Sequence, residues 1–229
     1  MTATSDAGTS PMRRAVARTV TESKRSIPHF YATGEADVTE LTGRMRRIGE
    51  NDSRGRLTMT AALVFALSSA LRRHPRLNAH WKGDALQISD SINIGVAMPV
   101  RGGLVAPAII GCEDLGLREC ASRLEDLKVR VADDRVRREE YAEATVTLSN
   151  LGGTRVRSFS AIIVPPQVAI VAVGSADVRP AVVGGRIMPR KMMSITTSAD
   201  HRAVDGLEVA GFLDDLMDSL ESPDWMDLT

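Results

Sequence analysis

Several common protein classes are excluded by what this chain is short of. Its 229 residues include only two cysteines, Cys112 and Cys120, with no C-x-x-C pair and no Cys/His cluster. That spacing builds neither a disulfide framework nor a zinc site, and the two read as reduced thiols of a cytoplasmic protein. Long hydrophobic runs are missing too. The most apolar stretch, Thr60 to Leu71, contains two serines and falls short of the roughly 20 residues that a membrane span needs. Met1 to Ser10 is small and polar with no apolar h-region, so no secretory signal is expected. Charge of one sign does not dominate either: 29 Lys and Arg balance 29 Asp and Glu. A binder that works by counterion release carries a basic excess, so nucleic acid is not an expected partner. Zero net charge also leaves little long-range repulsion between copies, which permits oligomers. Neither the G-x-S-x-G elbow of serine hydrolases nor a Rossmann or P-loop glycine pattern occurs.

What remains is ordinary for a globular chain: 43% hydrophobic and 25% charged residues, over a length that supports a sizeable core. Residues 1–11 form a low-complexity leader expected to be disordered. From Met12 the period is helical, on a face of Met12, Ala15, Val16, Thr19 and Val20, until Ile27-Pro28 stops it. His29 to Val38 alternates as a strand, and Thr39 to Arg47 reads as a helix with a turn at Asn51 to Gly55. A strongly apolar helix runs from Thr58 to about Arg73. Short strands follow: 78–81, 85–89, 92–98 and 104–110, with a Gly102-Gly103 turn. An amphipathic helix spans about 115–132. Strands at 145–149, 168–173 and 192–197 come next, with a Gly184-Gly185 hairpin between the last two, and a helix over about 207–220 closes the pattern. The expected architecture is one α/β domain over 12–229, an α+β two-layer sandwich with a mixed, mainly antiparallel sheet covered by helices.

Four histidines are candidates for chemistry. His74 precedes a proline at a helix end, where capping is expected, His80 stands beside Trp81 in a short strand, and His29 opens a strand. His201 differs, because it follows a strand and precedes Asp205-Gly206 and a helix. A side chain at a strand end can be both rigidly held and open to substrate. Asp205, four residues on, is spaced to approach the imidazole or to fix the loop around it. H-x-x-x-D-G is short and common, so spacing alone leaves a plain surface turn open as the alternative.

Ser198-Ala199-Asp200-His201-Arg202-Ala203-Val204-Asp205-Gly206 resembles the signature of the catalytic domain of dihydrolipoamide acyltransferases, the E2 components of 2-oxoacid dehydrogenase complexes. That family shares its fold with chloramphenicol acetyltransferase. Other blocks resemble the family in the same order: Met12 to Ala17, Ile27-Pro28-His29-Phe30, Pro75 to Ala79, Asn93 to Ala97, Thr147 to Gly153, Pro165 to Ile170 and Val173-Gly174.

The resemblance implies acyl transfer from acetyl-CoA or a similar coenzyme A thioester. No metal and no lipoyl group attached to this chain are expected. His201 would be the general base, Asp205 would position its loop, and Ser149 would donate a hydrogen bond to the tetrahedral oxyanion. Taken without the family, Ser149 is a strand-end hydroxyl. For the coenzyme, Asn150 and Gly174 would line the pantetheine channel and Thr58 would lie near it. Arg46 would approach the phosphates, with Arg44 and Arg47 as alternatives and a solvated helix face as the plain reading of all three. A homotrimer is implied, with active sites at subunit interfaces: His201 from one chain and Ser149 from its neighbour.

Two departures bear on the acceptor and the assembly. Pro99 stands where the family has an aspartate, and Pro223 to Thr229 stands in place of a leucine-rich tail that joins trimers into larger particles. No lipoyl domain or Ala/Pro-rich linker precedes Met12. The expected activity is therefore a stand-alone O-acetyltransferase acting on a small-molecule hydroxyl of tetronate type. The alternative is an E2 core that uses a dihydrolipoyl thiol, supplied by a lipoyl domain in trans.

Overall fold

Helix α1 (Pro11–Ser26) begins one residue ahead of the expected start, because Ser10 caps it. The Ser10 hydroxyl accepts the Arg13 N–H at 3.1 Å, and Pro11 occupies a first-turn position where no donor is lost. The computed structural model describes residues 10–51 and 57–228, so most of the expected leader and of the 51–55 turn lies outside the described residues. Strand β1 (His29–Asp37) and helix α2 (Thr39–Asn51) follow. Thr58 caps α3 (Met59–Arg73), nine of whose residues are buried. β2 (Ala79–Lys82) and β3 (Ala85–Ile88) pair as a small hairpin.

The single strand expected over 92–98 is broken at Ala97 into β4 (Ile94–Val96) and β5 (Met98–Val100). β4 stays in the main sheet, whereas β5, carrying a proline that cannot donate, leaves it to pair with β6 (Gly103–Val105). The expected 104–110 strand divides likewise, with β7 (Ala108–Ile109) returning to β4. Helix α4 (Leu117–Ala132), the short helix α5 (Arg138–Ala142), β8 (Val146–Asn150), β9 (Ala169–Val183), β10 (Arg186–Asp200) and α6 (Gly206–Glu221) complete the order, before a 3-10 segment (Asp224–Leu228). α5 was not expected.

The main sheet has six strands in the order β1-β10-β9-β8-β4-β7. β8 runs parallel to both β9 and β4, and the other three pairs are antiparallel. β8 is enclosed on both sides, which accounts for its run of buried residues from Val146 to Leu148. One sheet face meets α3, α4 and α6: Leu63, Leu67 and Leu71, Leu124 and Leu127, and Phe212 and Leu216 pack with Leu148, Val171 and Ile195. Each such side chain contributes about 1.5–3 kcal/mol on burial, as an upper bound. No helix among the described residues is long and apolar enough to cross a membrane.

β9 and β10 are much longer than expected. Beyond the end of β1 they continue as a two-stranded ribbon, closed by Gly184 and Gly185, both at positive φ (56° and 77°) as a two-residue hairpin turn requires. Val178, Val182 and Ile187 on the ribbon are 70%, 74% and 79% exposed, and Pro180 lies directly opposite Pro189.

Candidate active site

The loop carrying His201 is built by Asp200. Its carboxylate has no exposed surface, and such a group must be fully paired. It accepts the Arg202 backbone N–H at 3.0 Å and the Arg202 guanidinium from Nε at 2.9 Å and Nη2 at 2.6 Å. Those bonds hold the guanidinium pKa above its ordinary value, and the same guanidinium stacks over the Trp81 ring at 4.9 Å. The Asp200 carbonyl accepts from Ala203 and Val204 as the chain turns, which draws those two side chains into the core and leaves His201 exposed at the tip. Arg76 donates to the Ala203 carbonyl and pairs with Glu208 at 2.8 Å, bracing the far side of the loop. The Asp200–Arg202 clamp was not foreseen; its signal was the D-x-R spacing around the histidine.

The His201 backbone N–H donates to the Pro28 carbonyl at 3.1 Å, and the imidazole lies 4.5 Å from the Phe30 ring, tilted by 44°. Its ring nitrogens have no hydrogen-bond partner among the described residues. Asp205 does not reach the ring. Its Oδ1 accepts the N–H groups of Leu207 and Glu208, at 2.9 and 3.0 Å, and Glu208 accepts the Asp205 N–H in return. Of the two roles open from spacing, Asp205 has that of fixing the loop, as the N-cap of α6.

Ser149 lies at the other end of the sheet. It stands opposite Ala172, which stands opposite Thr196, five residues before His201. With about 3.3 Å per residue and about 4.8 Å between strands, the two α-carbons are roughly 19 Å apart in one chain. The Ser149 hydroxyl has no hydrogen-bond partner among the described residues. Asn150 follows it on β8 beside Val173, the neighbour of Gly174, and Thr58 caps α3 two residues before Thr60. Asn150 donates to the Thr60 hydroxyl at 3.1 Å and accepts the Gly152 N–H at 2.7 Å, and Thr58 accepts the Ala61 N–H at 3.2 Å. Gly174 has a steric reason of its own: a Cβ there would land on the Arg157 carbonyl, so no side chain fits.

A cavity of about 530 Å³ opens beside Asn150 and Thr60, walled by β5 and α4. Its cations are Arg101 at the β5–β6 turn and Lys128 on α4, and Pro99 stands on its wall. Arg46 is not among its lining residues; it is exposed on α2 and has no ion-pair partner among the described residues. Arg44 is tied to Glu40 and Asp224, and Arg47 to Glu40. None of the three α2 arginines lines this cavity, and Lys128 is itself paired with Glu125 at 3.2 Å. Leu124, Lys128 and Val131 occupy one helical stripe, and a cation within an apolar stripe was the available signal.

The remaining candidates are structural. His74 caps α3 and pairs with Asp215 at 2.6 Å, and His80 bonds the Ala144 carbonyl at 2.9 Å. His29 bridges the Ile27 carbonyl and the Ile163 N–H. Both cysteines are free and buried, their thiols pushed by burial to about 12 for Cys112 and about 11 for Cys120, well out of range for a nucleophile. No group of three or more His, Cys, Asp or Glu side chains suited to a metal ion occurs among the described residues.

A family model for the 2-oxoacid dehydrogenases acyltransferase (catalytic domain) matches residues 2–228. The acetyltransferase component of the pyruvate dehydrogenase complex of Rickettsia bellii is 33% identical over 93% of this chain and 51% of its own length. The lipoamide acyltransferase component of the branched-chain alpha-keto acid dehydrogenase complex of Pseudomonas aeruginosa is 36% identical over 93% of this chain and 50% of its own. The chain therefore spans about half the length of the curated relatives it matches. The solved dihydrolipoamide acetyltransferase of Azotobacter vinelandii superposes with a TM-score of 0.91 at 26% identity, covering 96% of this chain and 93% of that one. A chloramphenicol acetyltransferase, at 14% identity and a TM-score of 0.61 over 89% of this chain and 94% of its own, shares the fold.

Proposed function

The chain belongs to the 2-oxoacid dehydrogenases acyltransferase family, as a catalytic domain, and from that premise we propose that it exchanges acyl groups between coenzyme A and a dihydrolipoyl thiol. One observation carries the reading. Ser149 precedes His201 by 52 residues and Asp205 follows it by four, and the serine, histidine and asparagine investigated in the catalytic mechanism of the Azotobacter enzyme have the same two spacings. Asp205 stands where that enzyme has the asparagine, and either residue can cap a helix. The relatives, components of pyruvate and branched-chain dehydrogenase complexes, favour a thiol acceptor over the tetronate-type hydroxyl expected at first. They also leave acetyl and branched acyl groups as rivals.

In this reading the His201 ring nitrogen takes the proton of the acceptor thiol as its sulfur attacks the thioester carbonyl. The Ser149 hydroxyl donates to the oxygen as it becomes negative. When the carbon–sulfur bond to coenzyme A breaks, His201 returns the proton to the departing thiolate, so protons and electrons balance. A donor aimed at developing charge contributes on the order of 2.7–4 kcal/mol. Arg101 and Lys128 suit the phosphates of coenzyme A, and the aspartate replaced by Pro99 would have opposed them. Because Ser149 and His201 lie at opposite ends of one sheet, each site takes its histidine from one subunit and its serine from a neighbour, in a homotrimer.

Acetyl-CoA and branched acyl-CoA are offered with free dihydrolipoamide and, separately, with alcohol acceptors. Thioester consumption with dihydrolipoamide, lost by about 10²–10⁴-fold in His201→Gln, is the expected result. Turnover with alcohols alone would restore the hydroxyl reading. Mixing His201→Ala and Ser149→Ala subunits in equal amounts should recover roughly a quarter of the activity, since a quarter of the shared sites then have both side chains intact. No recovery, with subunits shown to exchange, would overturn the shared site.

A further inference from the structure

General base catalysis leaves a positive imidazolium on His201 between the two proton transfers, and something must stabilise it. The carboxylates nearest in the fold are committed elsewhere. Asp200 is held bidentately by Arg202, Asp205 caps α6, and Glu208 is shared between the Asp205 N–H and Arg76. Arg202 and Arg76 bring positive charge, and His29 is engaged at both ring nitrogens. Among the described residues, the aromatic ring that lies against the imidazole is Phe30, with ring centroids 4.5 Å apart. A cation within about 6 Å of an aromatic centroid is attracted by the ring's quadrupole. Phe30 is also well held: it pairs in register with Ala199 at the end of β10 and packs against the main core.

We propose that Phe30 is a positioning residue for the transfer reaction, orienting the His201 ring and stabilising its protonated form through the aromatic face. The proposal rests on the reading of His201 as general base. It differs from a packing role in depending on electrons in the ring and not on volume alone.

Stepwise fluorination of Phe30 by unnatural amino-acid incorporation drains the quadrupole while nearly keeping the shape, so the packing that Phe30→Leu alters is preserved. With acetyl-CoA and dihydrolipoamide, kcat is expected to fall progressively with each fluorine while KM for both substrates holds. Phe30→Leu should lower kcat about five- to thirtyfold, and Phe30→Tyr should stay within about twofold of the parent. A flat kcat across the fluorinated series, with His201→Gln inactive, would overturn the role of Phe30 and leave the base intact. His201→Gln turning over at the parental rate would remove the base, and Phe30 with it.

Discussion

Asp205 stands close to His201 in sequence but spends its carboxylate on the backbone of α6, so its substitutions separate stability from chemistry. Asp205→Ala should cost about 1 kcal/mol in a urea titration, the ordinary value of an N-cap, and Asp205→Asn only a small part of that. A loss of transfer activity in Asp205→Asn as large as that in His201→Gln would mean that the carboxylate acts on substrate. Gly174 sets a second test. Its Cβ would collide with backbone, which cannot swing away as a side chain can, so the segment from Val156 to Arg157 must move. Gly174→Ala is expected to destabilise by about 1–3 kcal/mol in the same titration and to disturb the neighbouring Asn150. Spacing was enough to single out His201 as unlike the other histidines, since a strand, an exposed tip and an aspartate were all legible. What spacing did not carry was the reach of each carboxylate. Asp205 and Asp200 flank the same histidine, and only the turn geometry decides that one binds a helix end and the other a guanidinium.

Among the elements, α3, α4 and α6 were readable because each carries a full apolar stripe over many turns. α5 was not, since five residues hold little more than one helical period and REEYA is mostly charged. Its stability comes from an ion pair instead. Glu140 is buried and meets Arg130, which also holds Asp126 on α4. Burial pushes the Glu140 pKa upward, but the Arg130 hydrogen bond and the Arg137 N–H outweigh it, so the net direction is down from 4.5. A carboxylate with a depressed folded pKa contributes stability that is complete above the unfolded value and lost as pH falls through the folded one. Amide protection factors at the α4–α5 junction, taken relative to the intrinsic exchange rate at each pH, should therefore fall on acidification below about pH 4.5, and Glu140→Gln should flatten that dependence. The extra length of β9 and β10 had a different cause. Their outer halves have no buried residue, so the hydrophobic signal faded where the sheet ended although the ladder went on.

For the whole molecule, the segment after α6 bears on how the chain end is held. Trp225 packs on Phe65 at 4.8 Å and donates to the Ser219 carbonyl at 2.8 Å, while Met226 is 2% exposed within the main core. Arg44 holds Pro223 and Asp224 in place. Residues so engaged are part of the subunit's own packing and are expected to matter to its stability. Trp225→Ala should destabilise the subunit by about 2–3 kcal/mol in a urea titration.

The ribbon of β9 and β10 holds valine and isoleucine out into water, a form that ordinarily invites fibre growth by strand addition. Facing prolines meet that hazard. A proline pair fits an antiparallel ladder only where both nitrogens point outward, so Pro180 and Pro189 each remove a donor from a free edge. An incoming strand would find no N–H to grip at that level on either side, and the protein can keep a greasy arm extended while its margins stay inert.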